Sequence, residues 1–270
     1  MRLTIKKSSA NQAKMFNCKI NILLFTKITI TILSAMTVLL SCSTSPETPL
    51  RGNQPDSLVR IIEKRIAEKK EIESFREKEL PPDFWQKIKN YYPVIRKYAK
   101  RYGFDWRLIV AQILKESRFK ENARSHVGAI GLMQIMPGTA QDIRREMDIE
   151  FIANNPRENI TAGIYHLYKQ VKRFPNAQPE ERIKLALAAY NCGAGRIYDA
   201  QNIAVFLHMD PNTWEAVKYC LQKLTREDWR LHLEVWELGV PPHGHFYGYR
   251  QTIEYVEDIM KNYHILKKMF

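Results

Sequence analysis

From residue 57 onward, apolar side chains recur at three- and four-residue spacing almost without interruption. That is the period of helices that bury one face. Leu58, Ile61, Ile62, Ile66, Ile72 and Phe75 mark a first, strongly charged helix over residues 57–79, ended by Pro81-Pro82. Phe84, Ile88, Tyr91 and Ile95 share one face of a second segment; Pro93 predicts a break or kink within it and Gly103 its end. Asp105 is placed to cap a third helix running from Trp106 to about Phe119. Helices follow over residues 159–174 and 179–190. The latter carries Ile183 and an apolar run from Leu185 to Ala189, so it should be central. Further helices are expected at 195–207, 211–224 and 248–266. No run alternates with period two over a convincing length, although a short β-ribbon near residues 121–130 is compatible with the pattern. The expected fold class is mainly α.

The first 56 residues follow another logic. Residues 28–40 form an uncharged, mostly apolar run of about 13 residues, the length of a signal-peptide core and short for a membrane span. It ends in Leu39-Leu40-Ser41-Cys42, which resembles the lipobox of bacterial lipoprotein signal peptides. The resemblance implies cleavage before Cys42 and a lipid anchor on that residue. Ser43, rather than Asp, follows it, which in the enterobacterial pattern favours the outer membrane. Residues 43–56 hold Pro46, Pro49, Gly52 and Pro55 among polar residues and read as a flexible tether. The expected order is therefore a signal peptide at 1–41, a tether at 42–56, a charged helical linker at 57–80 and a catalytic domain at 81–270.

Charge narrows the partners. The chain carries +13, and the six Lys and Arg of residues 1–41 account for part of that, leaving +7 without them. A basic surface suits an anionic partner such as a membrane lipid or an acidic cell-wall polymer. No Lys/Arg run is dense enough to favour nucleic acid, and none is expected as a partner. Beyond Cys18 and Cys42, Cys192 and Cys220 remain, either paired in an oxidising compartment or as two buried thiols. His232, His243 and His245 lack partners at metal-ligand spacing, so neither a metal nor a cofactor is expected.

Candidate chemistry centres on Glu116. Ile109, Ile113 and Glu116 lie at i, i+4 and i+7, so the carboxyl continues an apolar stripe. Desolvation there would keep its proton on near neutral pH, the state a general acid needs. A helix-end Glu reaching solvent, or pairing with Arg118 or Lys120, is the ordinary alternative.

The surrounding motifs weigh against that alternative. Glu116-Ser117, then Ser125, then Gly-Ala-Ile-Gly-Leu-Met-Gln-Ile-Met-Pro over 128–137, then Ala-Ala-Tyr-Asn-Cys-Gly-Ala-Gly over 188–195 resemble the lytic transglycosylases with an SLT domain. The likeness spans about residues 90–265. Residues 196–201, the Trp214 segment and 248–256 most resemble the membrane-bound F type, whose solute-binding-like domain precedes its catalytic one; here residues 57–79 stand in that place. The resemblance implies a lysozyme-like helical fold, peptidoglycan strands as substrate, and Glu116 acting as acid and then as base to leave 1,6-anhydromuramoyl ends. By motif position it implies Ser125, Gln134, Met136, Tyr190 and Asn191 as substrate-binding residues. The family has a Glu where Gln251 stands, which puts a charged contact there in doubt. A hydrolase on the same fold and a lipid-anchored scaffold with a retired site are the competing readings.

Overall fold

The computed structural model describes residues 55–150 and 152–270, with side chains from Ser57 onward and that of Phe151 omitted. Ten α-helices and one 3-10 turn make up almost all of the regular structure of these residues: α1 (Pro55–Lys78), α2 (Phe84–Tyr102), α3 (Trp106–Ser117), α4 (Pro137–Met147), α5 (Pro156–Val171), α6 (Pro179–Cys192), α7 (Ala194–Phe206), α8 (Trp214–Leu221), the 3-10 turn Arg226–Asp228, α9 (Trp229–Val235) and α10 (Tyr249–Met269). The mainly α class is thus as expected. In place of a ribbon there are two isolated antiparallel bridges, Arg124 with Ile130 and Ile130 with Ile135. Val59–Phe270 form one compact unit. The proposed anchor residue Cys42 lies outside the described residues.

Two helices form the centre. In α3 every residue from Leu108 to Leu114 is buried, and in α6 every residue from Leu185 to Ala189. Helix α10 packs on both, α2 closes on α3 and α5, and α7 and α8 pack on each other and on α6. Side-chain chemistry fixes where the central elements begin. The Asp105 carboxylate accepts the Arg107 backbone N–H at 3.0 Å, capping α3. Asn155 caps α5 in the same way. Pro137, Pro156 and Pro179 each open a helix, where a missing N–H costs nothing.

Two expectations needed correction. Pro93 does not break α2: the helix continues from Phe84 to Tyr102, with Gly103 as its C-cap. Pro93 and Lys89 are both exposed, so the carbonyl that loses its donor faces water, while Ile88, Tyr91 and Ile95 remain buried on the opposite side. Helices α4 and α9 had no counterpart in the hydrophobic pattern, because each buries one residue only, Ile143 and His232 respectively. Cys192 and Cys220 are both free thiols.

Helix α1 changes character along its length. Ile72 packs against the core, and Phe75 is buried within it, as is Leu80 beyond the helix. Glu71 pairs with Lys268 of α10 at 2.8 Å. Further toward its start, the aliphatic side chains have no such cover.

Candidate active site

Glu116 occupies the last turn of α3, where the backbone changes hand. Arg118 (φ 49°) and Phe119 (φ 60°) are successive non-glycine residues in the left-handed region. Such a pair is strained and persists only where the surroundings hold it. Four contacts do so. The Arg118 N–H closes on the Leu114 carbonyl at 3.1 Å. The Arg118 guanidinium donates to the Lys78 carbonyl of α1 at 3.0 Å. Phe119, 1% exposed, meets the Phe84 ring edge-on at 5.7 Å. Ser117 Oγ donates across to the Leu132 carbonyl at 2.9 Å, joining this turn to the loop that follows.

The Glu116 carboxyl is desolvated, and this raises its pKa to about 8. Two smaller influences pull the other way: a hydrogen bond from Tyr255 and the charge of Lys115. Tyr255 Oη donates to Glu116 Oε1 at 2.5 Å. Gln112, one turn before Glu116 on α3, donates its amide to the same phenol oxygen at 3.1 Å. With that lone pair occupied, the phenol proton is directed at the carboxyl. Burial and the nearby acid raise the Tyr255 phenol itself far above its ordinary value, so it stays a donor. Among the described residues, no second carboxylate perturbs Glu116.

The loop between α3 and α4 is built around one buried amide. Asn159 of α5 accepts the Met133 N–H at 2.8 Å and donates to the carbonyls of Ile130 at 3.1 Å and Ile152 at 3.2 Å. Gly131 lies so close that a Cβ there would come within 2.4 Å of the Asn159 amide nitrogen; its φ of +78° also favours glycine. Gly163 plays a matching part beneath Met133, where a Cβ would fall 2.5 Å from the methionine Cβ.

The motif residues take distinct places in this frame. Tyr190 Oη donates to the Met133 carbonyl at 2.7 Å, so its hydroxyl holds the loop, while the phenol remains close enough to Glu116 to feel its charge. Gln134 (φ 45°) turns its amide back onto the carbonyls of Gly131 at 2.9 Å and Ala123 at 3.2 Å. Ser125 accepts the Ala129 N–H on Oγ at 2.9 Å while its own N–H donates to the Ala129 carbonyl. Met136 is 42% exposed at the end of the loop. Asn191, also exposed, accepts a 2.8 Å hydrogen bond from Thr252 of α10. Glu116, Tyr190 and the loop that includes Gln134 and Ser125 thus belong to one connected structure, with α10 tied in through Tyr255 and Thr252.

Tyr255 was not among the residues singled out from the sequence. Its only signal is its place in the 248–256 stretch of the resemblance, and by pattern it is an ordinary core position of an amphipathic helix. Asn159 was likewise read as the beginning of a helix and not as the anchor of a loop. His243, passed over as a ligand, bonds the buried Asp199 through Nδ1 at 2.9 Å and covers Gly195.

The family profile of the transglycosylase SLT domain matches residues 93–208. A membrane-bound lytic murein transglycosylase F from Desulfosudis oleivorans is 36% identical over 188 residues, which are 68% of this chain and 38% of that protein. A protein of the same name from Shewanella pealeana is 30% identical over 184 residues, 67% of this chain and 34% of its own. The chain therefore spans little more than a third of the length of these relatives. Among solved structures, the 70 kDa soluble lytic transglycosylase from Escherichia coli aligns over 66% of this chain and 24% of its own, with 22% identity and a TM-score of 0.43.

Proposed function

Residues 93–208 are a transglycosylase SLT domain, and on that premise we propose that the protein is a lytic transglycosylase that cleaves the β-1,4 bond between N-acetylmuramic acid and N-acetylglucosamine in peptidoglycan. The observation that carries the proposal is the state of Glu116: one desolvated carboxyl, with its pKa raised to about 8 and a phenol donor at 2.5 Å. At neutral pH that carboxyl holds its proton. It gives the proton to the glycosidic oxygen as the bond from C1 breaks, leaving an oxocarbenium-like sugar. The resulting carboxylate receives the Tyr255 hydrogen bond, which favours the charged form. It then takes the proton of the muramoyl C6 hydroxyl as that oxygen closes on C1. No water is consumed, and the product ends in a 1,6-anhydro ring. A hydrolase working on the usual plan would need a second carboxylate to activate water or attack carbon, and none acts on Glu116 among the described residues. In this scheme Ser125, Gln134, Met136, Tyr190 and Asn191 bind the glycan and shape the loop around it.

Mass spectrometry of murein digested by the purified protein tests the reaction. Anhydromuramoyl ends are expected; reducing ends would make it a hydrolase, and no release would retire the site assignment altogether.

Tyr255→Phe probes the partner of the acid. Losing this donor removes an influence that lowers the Glu116 pKa, so the alkaline limb of the rate profile is expected to move to higher pH. The maximum rate should fall about tenfold to a hundredfold, the loss that follows from removing one charge-assisted hydrogen bond of ~1.5–3 kcal/mol. An unmoved limb would mean that Tyr255 does not touch the titrating group.

The same reading places the signal peptide at 1–41, the tether at 42–56, the helical linker at 57–80 and the catalytic domain at 81–270. With Cys42 lipidated, the enzyme would face the periplasm from the outer membrane of a Gram-negative cell and serve in wall remodelling or turnover. The curated relatives named as membrane-bound support a membrane association. Among the described residues, no helix is long and apolar enough to cross a bilayer.

A further inference from the structure

The first half of α1 offers a surface that neither the core nor the active site uses. Val59, Ile61, Ile62 and Ile66 are each 49–56% exposed. Val59, Ile62 and Ile66 lie at i, i+3 and i+7 and so form one stripe. At 3.6 residues per turn, Arg65 and Lys69 border that stripe on one side, and Lys70 with Glu63 beyond it on the other. Residues 59–70 carry five Lys or Arg against two Glu. None of Arg60, Lys64, Arg65, Lys69 and Lys70 forms an ion pair with a described residue. The second half of the same helix is tied to the catalytic unit by Phe75, by the Glu71–Lys268 pair and by the Arg118 guanidinium on the Lys78 carbonyl. Half of α1 is therefore docked, and half presents aliphatic side chains edged with positive charge.

We propose that the Val59–Lys70 half of α1 lies in the surface of a bilayer rich in anionic phospholipid, with Val59, Ile62 and Ile66 inserted among the acyl chains and Arg65, Lys69 and Lys70 at the headgroups. Charge complementarity selects this occupant. A second copy of the same stripe would set like charges against each other, whereas anionic headgroups neutralise them. Long Lys and Arg stems also let a flanking charge reach the headgroups while its methylenes stay among apolar groups. Chain length agrees. About sixteen residues separate Cys42 from Val59, a reach of at most ~50 Å at roughly 3.3 Å per residue. A lipid on Cys42 would thus keep the helix close to the membrane. The inference uses the anchor reading for proximity alone, and its test omits the anchor.

Residues 43–270 contain the whole Val59–Phe270 unit with its contiguous core, so this fragment is suited to the experiment. Its partition is measured by co-sedimentation with vesicles of phosphatidylglycerol and phosphatidylethanolamine, and with vesicles of phosphatidylcholine. Binding to the anionic vesicles is expected, weakening as salt is raised, with little on phosphatidylcholine. Ile62→Asp combined with Ile66→Asp should lower the partition coefficient at least about tenfold. Lys69→Glu combined with Lys70→Glu should abolish the preference for anionic lipid. Circular dichroism and murein cleavage in solution should be unchanged in both variants. Equal sedimentation of the parent and the double-Asp variant would overturn the proposal. So would equal binding to both lipids, or a dimer in analytical ultracentrifugation that the Asp pair dissolves. If murein is not cleaved while lipid binding behaves as described, the activity is misassigned and the helix is not.

Discussion

Glu116→Gln is expected to abolish murein cleavage, with a loss of at least about 10³-fold, while the protein stays folded. A positioned acid or base typically contributes ~10²–10⁴-fold, and in the proposed scheme one group serves in both steps. The amide keeps the shape of the side chain and an oxygen that accepts from Tyr255, but it has no proton to give and no charge with which to take one. Thermal stability should move in the opposite direction, and the sign follows from proton binding. The folded state raises the Glu116 pKa from 4.5 to about 8, so over that interval it holds a proton that the unfolded chain has released. The stability of the parent therefore falls as pH rises from 4.5 to 8. The amide is free of this penalty. Melting temperatures of the two proteins should agree most closely near pH 4 and diverge in favour of the variant at pH 8 and above. A variant that cleaves murein normally, or a difference in melting that does not change with pH, would show that Glu116 is not the desolvated acid.

Asn159→Ala is expected to be the most destabilising single change in the loop, costing about 3–5 kcal/mol, with activity lost alongside. Three backbone groups depend on this one amide: the Met133 N–H and the carbonyls of Ile130 and Ile152. Leaving a buried polar group without a partner costs ~1–3 kcal/mol, and some of the three would be rehydrated as the loop opens. Asn159→Asp, which keeps an acceptor for Met133 but loses both donors, should also be unstable and introduces a charge at a buried position. Urea denaturation of the three proteins makes the comparison. A loss below about 1 kcal/mol for the alanine variant would mean that the loop is held mainly by Tyr190 and Ser117.

The contrast between Glu116 and Asn159 shows what the amino-acid pattern carries and what it omits. Glu116 was legible because the stripe it interrupts is local: Ile109 and Ile113 lie within two turns, and a carboxyl among them is an anomaly. The central helices were legible for the same reason, α6 most of all. Asn159 and Tyr255 act through partners 26 and 139 residues away in the chain. An asparagine near a helix start and a tyrosine on an apolar face are each unremarkable locally, and no periodicity reports the distance to a residue folded against them. Helices α4 and α9 were missed because surface helices with one buried side chain leave no stripe to read. The break expected at Pro93 does not occur: Pro93 and Lys89 lie on the exposed side, and the buried side chains of α2 hold the helix together.

The hydrogen bond from Tyr255 to Glu116 also sets an order of events. The acid lies on α3 and its orienting phenol on α10, so most of the domain must emerge before the pair can form. A chain that is synthesised or exported from its N-terminus presents α3 first, with Glu116 lacking its phenol donor and Asn191 still without Thr252. Local helices form early, and contacts this distant in sequence close late. On the proposed function, full glycan cleavage therefore waits until α10 has docked on α3 and brought Tyr255 to Glu116.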